Sequence, residues 1–304
     1  MTAISTRMFY DRASHDMARL RNMAQDFQGQ IATGKRLGRS SDDPVAAAQL
    51  RQLSRQQSLS AADQRISDRV KGDLALADTA LASAVLLVQR GRDLAQQAAN
   101  GTLNADGRQA IATEISELRN SLFALANSRN TAGQGLFSGT ATGPAYHGDA
   151  SGAIQYSGAA DQAPVTLDGS WEVSSGLAGP QIFSFPHDGA TTDMFAVLGE
   201  LSASLEDATA DPVASGQSAL ALLDTGLSRI TLARTRLGER LDRLEMMDRR
   251  RDDQAVIHAT RMSDIGDADI AETITRLQHT MTVLEASQAS FSRLAGMNLF
   301  AMLR

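Results

Sequence analysis

At 304 residues the chain is long enough for two domains of ordinary size. Aromatics make up only 4% and net charge is −6, so the apolar content is mostly aliphatic, which suits packed helices and argues against a general nucleic-acid binder. With no Cys there are no disulfides, thiol nucleophiles or Cys-based zinc sites, and the compartment stays open. No apolar run approaches the roughly 18 residues of a membrane span. The opening residues have no apolar core or cleavage site, so no cleaved signal peptide is expected.

Prolines mark the organisation. Four of the six (Pro144, Pro164, Pro180, Pro186) share one stretch; Pro44 and Pro212 stand apart. Proline is excluded from helix interiors, so two long proline-free arms flank a proline-bearing middle. The first arm opens with Tyr10, Ala13, Met17, Leu20, Ala24, Phe27 and Ile31, alternately three and four residues apart. That is the seam of a helix that packs along another helix. It stops at Thr33-Gly34. Ser41-Asp42-Asp43-Pro44 then reads as a helix start, acidic caps followed by Pro in the first turn. A second helix carries Ile66, Val70, Leu74, Ala77, Leu81, Val85 and Val88 and breaks at Asn100-Gly101. A third carries Ile111, Ile115, Leu118, Leu122 and Leu125.

From about Gly133 the pattern changes to dense Gly and Pro with Tyr146, Tyr156, Trp171, Phe183 and Phe185. Residues 153–156 and 164–167 alternate and precede glycines, as hairpin strands do. Trp171 is expected to pack this β-rich insert. A short helix follows over 194–205. The second arm restarts at Asp211-Pro212, with Leu220, Leu223, Leu227, Ile230, Leu237, Leu241 and Leu244 in a three–four repeat and Arg234 in the one missing step. The seam pauses over 263–269. A last heptad, Ile270, Ile274, Leu277, Met281, Leu284, Gln288 and Phe291, follows, with Leu299 and Phe300 near the end.

The expected fold is mainly α: a long antiparallel helical bundle or coiled coil formed by both termini, with a small β-rich central insert. The expected boundaries are a terminal core of 1–40 and 265–304, a helical stem of 41–137 and 191–264, and an outer insert of 138–190. Terminal segments usually carry little pattern, yet here they hold some of the cleanest heptads. An isolated amphipathic helix is marginal, so these segments read as ones that gain order by pairing and assembly.

Nothing in one dimension points to catalysis, a cofactor or a metal. The five histidines are not at ligand spacing, and no phosphate-binding or nucleophile motif occurs. Gly133-Gln134-Gly135 follows a helix and reads as a loop. Residues 264–269 lack the ligand alternation of a calcium loop and read as an acidic helix break. Arg249-Arg250-Arg251 is bracketed by Asp248, Asp252 and Asp253 and reads as a solvated helix face. Only Lys35 and Lys71 are lysines, and no function is drawn from that bias. The chain is therefore not expected to be an enzyme.

Several stretches resemble the flagellin superfamily, and within it the hook-associated protein 3 (FlgL) family of hook–filament junction proteins. Ile4-Ser5-Thr6 is similar to the family opening, and Ile31-Ala32-Thr33-Gly34-Lys35-Arg36-Leu37 resembles the turn shared by flagellin-like chains. Ser41-Asp42-Asp43-Pro44-Val45-Ala46-Ala47 resembles the junction-protein form, where filament flagellins usually carry Ala-Asp-Asp-Ala-Ala-Gly. Gly135-Leu136-Phe137-Ser138-Gly139-Thr140 is similar to the stretch before the family's outer insert. Leu284 to Leu294 and Asn298 to Leu303 resemble its C-terminal segments, with Ala301-Met302 standing where an acidic residue and Tyr are usual.

The resemblance implies a structural component of the bacterial flagellum, an adapter joining hook to filament. It implies a secreted protein in the extracellular flagellum, exported through the flagellar type III channel. It also implies four partners: copies of itself in a ring or layer, a preceding junction protein of the hook-associated protein 1 (FlgK) family, flagellin and an export chaperone. Neither nucleic acid nor a membrane span is implied. The N-terminal seam is then an assembly face, and the C-terminal seam an assembly and chaperone face. The nearest alternative is a filament-forming flagellin. A cytosolic coiled-coil scaffold or signalling helix is disfavoured by the Gly/Pro insert and the break at Gly34–Pro44.

Overall fold

The computed structural model describes residues 2–101, 103–149, 152–162, 164–169 and 171–302, with side-chain detail between residues 8 and 294. Its helices are α1 (Thr2–Thr33), α2 (Pro44–Ala99), α3 (Ala105–Ala126), α4 (Gly179–Phe183), α5 (Met194–Glu206), α6 (Pro212–Gly266) and α7 (Ile270–Met302). Three two-stranded antiparallel sheets lie between α3 and α5 in the chain: β1 (Tyr146–Gly148) with β2 (Ile154–Tyr156), β3 (Pro164–Leu167) with β4 (Trp171–Ser174), and β5 (Ser184–His187) with β6 (Ala190–Asp193). The fold is thus mainly helical with a small β-rich insert, as the proline map and the heptads predict.

The caps sit where short polar residues predict them. The Asp43 carboxylate accepts the Ala46 N–H at 3.0 Å, and Pro44 follows as the first helical residue of α2. Asn104 caps α3 by accepting the Gly107 N–H at 2.8 Å. Asp211 accepts the Val213 N–H at 2.9 Å at the start of α6. The break after α2 uses Gly101, whose φ of +65° suits a residue without Cβ.

The chain divides into two compact units, Met1–Leu59 with Asp252–Arg304 and Ser60–Arg251. In the second unit, Val70, Leu74, Leu81 and Val88 of α2 and Leu223, Ile230, Leu237 and Leu244 of α6 are buried in one cluster. Arg234, the missing apolar step in the α6 repeat, donates two hydrogen bonds to Asp78 at 2.8 and 3.1 Å. α2 is long and apolar enough, at a mean hydropathy of 1.3 over 18 residues, to cross a membrane by composition alone. This corrects the expectation that no such run exists. Buried Leu74, Leu81 and Val88 also suit the core helix of a helical unit.

The insert packs around rings. Tyr146 and Phe183 stack edge-on at 5.9 Å, and Tyr146 meets Phe195 at 5.0 Å. Trp171 does not join them: it is 45% exposed on β4, contrary to expectation. In Gly135–Thr140 the side chains serve structure. Phe137 is buried, and the buried Ser138 hydroxyl donates to the Ala141 carbonyl at 2.9 Å. Gly139 adopts φ +65°, where a Cβ would overlap the Ala159 carbonyl oxygen.

Candidate assembly surface

The first unit is built on an antiparallel pair. Tyr10 meets Phe291 with ring centroids 5.3 Å apart, and at the other end Lys35 bridges Asp267. Both breaks beside the pair are clasped. The Arg36 N–H donates to the Gly266 carbonyl at 2.8 Å, and the Ala268 N–H to the Gly34 carbonyl at 2.9 Å. Lys35 Nζ lies 2.6 Å from Asp267 Oδ1, and the Arg36 guanidinium donates to the Ile265 carbonyl. Lys35 and the Ser263 hydroxyl hold the Asp267 carboxyl below its ordinary range. Residues 264–269 are thus an acidic helix break: Asp269 caps α7 by accepting the Glu272 N–H at 3.0 Å. Among the described residues no group of three His, Cys, Asp or Glu could hold a metal ion.

On α1 the predicted seam and the covered line coincide. From Met8 to Ile31, Tyr10, Ala13, Met17, Leu20, Ala24, Phe27 and Ile31 are the covered positions, joined only by Gln30. α1 packs along α7, so this line serves pairing within the chain.

On α7 the covered line lies elsewhere than predicted. It is Thr273, Leu277, Thr280, Leu284, Ser287 and Phe291, with Thr273 and Thr280 at 6% exposure and Leu284 at 8%. Leu277, Leu284 and Phe291 therefore join the pairing seam as expected. Ile270, Ile274 and Met281 do not: they are 39%, 40% and 39% exposed, and Gln288 is exposed beside them. The side chains of Leu299 and Phe300 lie outside the described residues.

The chemistry permits this without selecting it, since the exposed Thr275 and Thr282 bond their own helix in the same way. The Thr273 hydroxyl donates to the Asp269 carbonyl at 2.6 Å, Thr280 to Arg276 at 2.8 Å and Ser287 to Val283 at 2.7 Å. Each hydroxyl is satisfied within its own helix, so threonine turns a methyl to the seam like a small apolar residue. Reading apolar letters alone misses this. α7 consequently carries two neighbouring stripes, one covered by α1 and one apolar yet open. On a helical wheel their centres are about 75° apart at 100° per residue.

Sequence reading also missed a charged cluster in the second unit. Arg251 is not on a solvated face: it is 3% exposed, while Arg249 and Arg250 are exposed as expected. Asp248 receives the Ser67 hydroxyl at 3.0 Å and Lys71 Nζ at 2.5 Å, and pairs with Arg251. Burial pushes the Asp248 carboxyl up, but the Lys71 and Ser67 hydrogen bonds and the Lys71 and Arg251 charges outweigh it and hold the group low. The lysine bias thus has a structural counterpart. Each of the two lysines ties the first arm to the second, Lys35 to Asp267 and Lys71 to Asp248.

Residues 4–142 match the bacterial flagellin N-terminal helical region and residues 220–303 the bacterial flagellin C-terminal helical region. The chain is 30% identical to flagellar hook-associated protein 3 of Escherichia coli K12, over 98% of both chains. It is 27% identical to the protein of that name from Salmonella typhimurium LT2, over 99% of both. A flagellar hook-associated protein structure from Vibrio parahaemolyticus superposes with a TM-score of 0.69 at 26% identity, over 74% of this chain and all of that one. With its paired terminal helices and β insert, the chain belongs to the flagellar hook-associated protein 3 (FlgL) family, structural and not enzymatic components of the bacterial flagellum.

Proposed function

We propose that this protein is the adapter that joins the hook to the filament, and that the open stripe of α7 is the face by which it assembles. The observation that supports this is the division of α7. Leu277, Leu284 and Phe291 are covered by α1, while Ile270, Ile274 and Met281 stand open beside them. Contiguous exposed apolar residues mark interaction sites more often than chance does. In this reading residues 1–40 and 265–304 form the core of the assembly, 41–137 and 191–264 the stem, and 138–190 the outer insert. The partners are copies of this chain in one layer, a junction protein of the hook-associated protein 1 (FlgK) family beneath, and flagellin above. Before export through the flagellar channel, a chaperone covers the C-terminal stripe. The site of action is the extracellular flagellum.

A one-layer adapter must not stack on itself without limit. Open helical growth needs one face of a subunit to complement the opposite face of the next, and an adapter fails that condition. The test is deletion followed by electron microscopy of the cells. An adapter leaves hooks without filaments and sheds flagellin into the medium; normal filaments on the deletion strain refute the proposal. Long filaments grown by the purified protein alone would make it a filament flagellin instead.

A further inference from the structure

Asn100 and Gly101, where α2 ends, are the one Asn-Gly pair in the chain. An asparagine side chain always lies within reach of neighbouring backbone groups, the next residue's N–H among them. Two things keep most such pairs from reacting: bonds that hold the carboxamide or that N–H, and a Cβ that shields the nitrogen. Neither restraint is present here. Both residues are exposed, and Gly101 has no Cβ. The Asn100 N–H donates to the Gln97 carbonyl at 3.3 Å, but among the described residues nothing bonds the Asn100 carboxamide or the Gly101 N–H.

The other asparagines with described side chains are restrained. Asn127 accepts the Tyr146 N–H at 2.9 Å and donates to the Tyr146 carbonyl at 3.0 Å, and the Ser128 N–H after it donates to the Leu125 carbonyl. Asn130 donates to Asp73 and accepts the N–H groups of Ala132 and Gln134. Asn104 is held as the cap of α3. Asn22 and Asn120 lie inside α1 and α3, where the N–H of the next residue bonds to the carbonyl four back.

We propose that Asn100 is a self-modification site, converting through a succinimide with Gly101 to aspartate and isoaspartate. The Gly101 nitrogen loses its proton to solvent base and attacks Asn100 Cγ. An N–Cγ bond forms, the Cγ–Nδ2 bond breaks, and ammonia leaves. Water, the only co-reactant, then opens the ring. Attack at Cγ gives aspartate; attack at the main-chain carbonyl carbon gives isoaspartate. Either product adds one negative charge to a chain already at −6 and places it at the C-terminal end of α2, where the helix dipole disfavours it. Isoaspartate also lengthens the main chain by a methylene where room is short, since a Cβ on Gly101 would stand 3.2 Å from Val213 Cγ2 at the start of α6. The joint of α2 with α3 therefore loosens as the molecule ages. This inference does not depend on the proposed place in the flagellum.

The test is incubation of the full chain at mildly alkaline pH in water enriched in heavy oxygen, folded and in urea, then peptide mapping by mass spectrometry in ordinary water. Each conversion leaves one heavy oxygen at its site. Asn100 should convert in the folded chain within about threefold of its rate in urea, whereas Asn127 should be slowed about tenfold or more by folding, because a restrained group waits for local opening. The converted fraction, separated by its charge, should exchange amides faster over 103–108 than the unconverted one. No label at Asn100 in the folded chain, or folding that slows Asn100 as much as Asn127, would overturn the site. Equal exchange over 103–108 in the two fractions would overturn the loosening.

Discussion

The two stripes of α7 predict opposite responses to one kind of truncation. Leu284 is 8% exposed against α1. Leu284→Ala loses nearly the full transfer energy of a buried leucine, about 1.5–3 kcal/mol, plus a cavity term. Two paired helices can relax toward the gap, so the total should be about 2–3 kcal/mol, the low end for such changes. Ile274 is 40% exposed, so Ile274→Ala should cost about 1 kcal/mol or less. Thr280→Val is the sharper probe. Its hydroxyl bonds only to the Arg276 carbonyl of its own helix, so the substitution keeps the seam methyl and removes a group the seam does not use. Its effect should stay within about 0.5 kcal/mol, whereas Thr280→Asp buries a charge and costs several. Amide exchange along α1 and α7 in urea reads each value, and export and incorporation into flagella are measured beside it. Leu284→Ala should loosen the pair. Ile274→Ser and Met281→Ser should leave the pair intact and abolish incorporation. If Ile274→Ser loosens the pair as much as Leu284→Ala, or Thr280→Val costs more than about 1 kcal/mol, the division into two stripes is wrong.

Asp248 and Asp193 should respond to acid in opposite senses. The Asp248 carboxyl is held below its ordinary value of 3.8, so its contribution is full above that value and lost as pH falls through the folded one. Asp248→Asn takes the shared carboxylate from Lys71 and Arg251, which keep Asp68 and Asp168, and should cost about 1.5–3 kcal/mol at pH 7, with a flatter acid limb in melts run across pH. Burial pushes Asp193 up, so its contribution is full below 3.8 and lost as pH rises through its folded value. Asp193→Asn keeps the α5 cap, in which the side chain accepts the Ala196 N–H at 2.8 Å, and removes the buried charge. It should match or exceed the native melting temperature at pH 7, with no advantage at pH 3, while Asp193→Ala loses about 1 kcal/mol with the cap.

What was legible in the sequence was whatever depends on local rules. The covered residues of α1 follow the heptad, and α2 and α6 start at their caps on Pro44 and Pro212, because periodicity and capping need only near neighbours. The α7 stripe was legible as amphipathic but not in its rotation. Thr273, Thr280 and Ser287 count as polar letters until their hydroxyls are seen to bond their own helix. Arg251 was illegible for a different reason. Its burial depends on Asp168 and Gln64, 83 and 187 residues away in the chain, and no local pattern carries that. Trp171 lies on the same ribbon face as the buried Leu167 and Val173 and still stays 45% exposed, so sharing that face was not enough to bury the ring.

The rotation of α7 needs a cause, since a roll of one residue, about 100°, would bring Ile274 and Met281 into the seam. Larger side chains would then be buried there, at about 0.8 kcal/mol per added methylene. The clasp opposes that roll. Its backbone bonds, Arg36 to Gly266 and Ala268 to Gly34, fix where α7 begins relative to the end of α1, and Lys35 with Asp267 and Arg36 with Ile265 reinforce them. The absence of Cys makes this testable by disulfide formation in an otherwise silent background. Interpolating between Tyr10 opposite Phe291 and Lys35 opposite Asp267 places Leu20 level with residues 281–282, about 2 Å along the axis from Thr280 on the covered line. Leu20→Cys should therefore cross-link with Thr280→Cys and poorly with Met281→Cys, because a disulfide tolerates Cβ separations of only about 3.5–4.5 Å. Adding Lys35→Ala and Arg36→Ala should narrow that difference by freeing α7 to roll. Equal cross-linking of both pairs with the clasp intact would show that the turn does not set the rotation, and that the open stripe owes its exposure to something else.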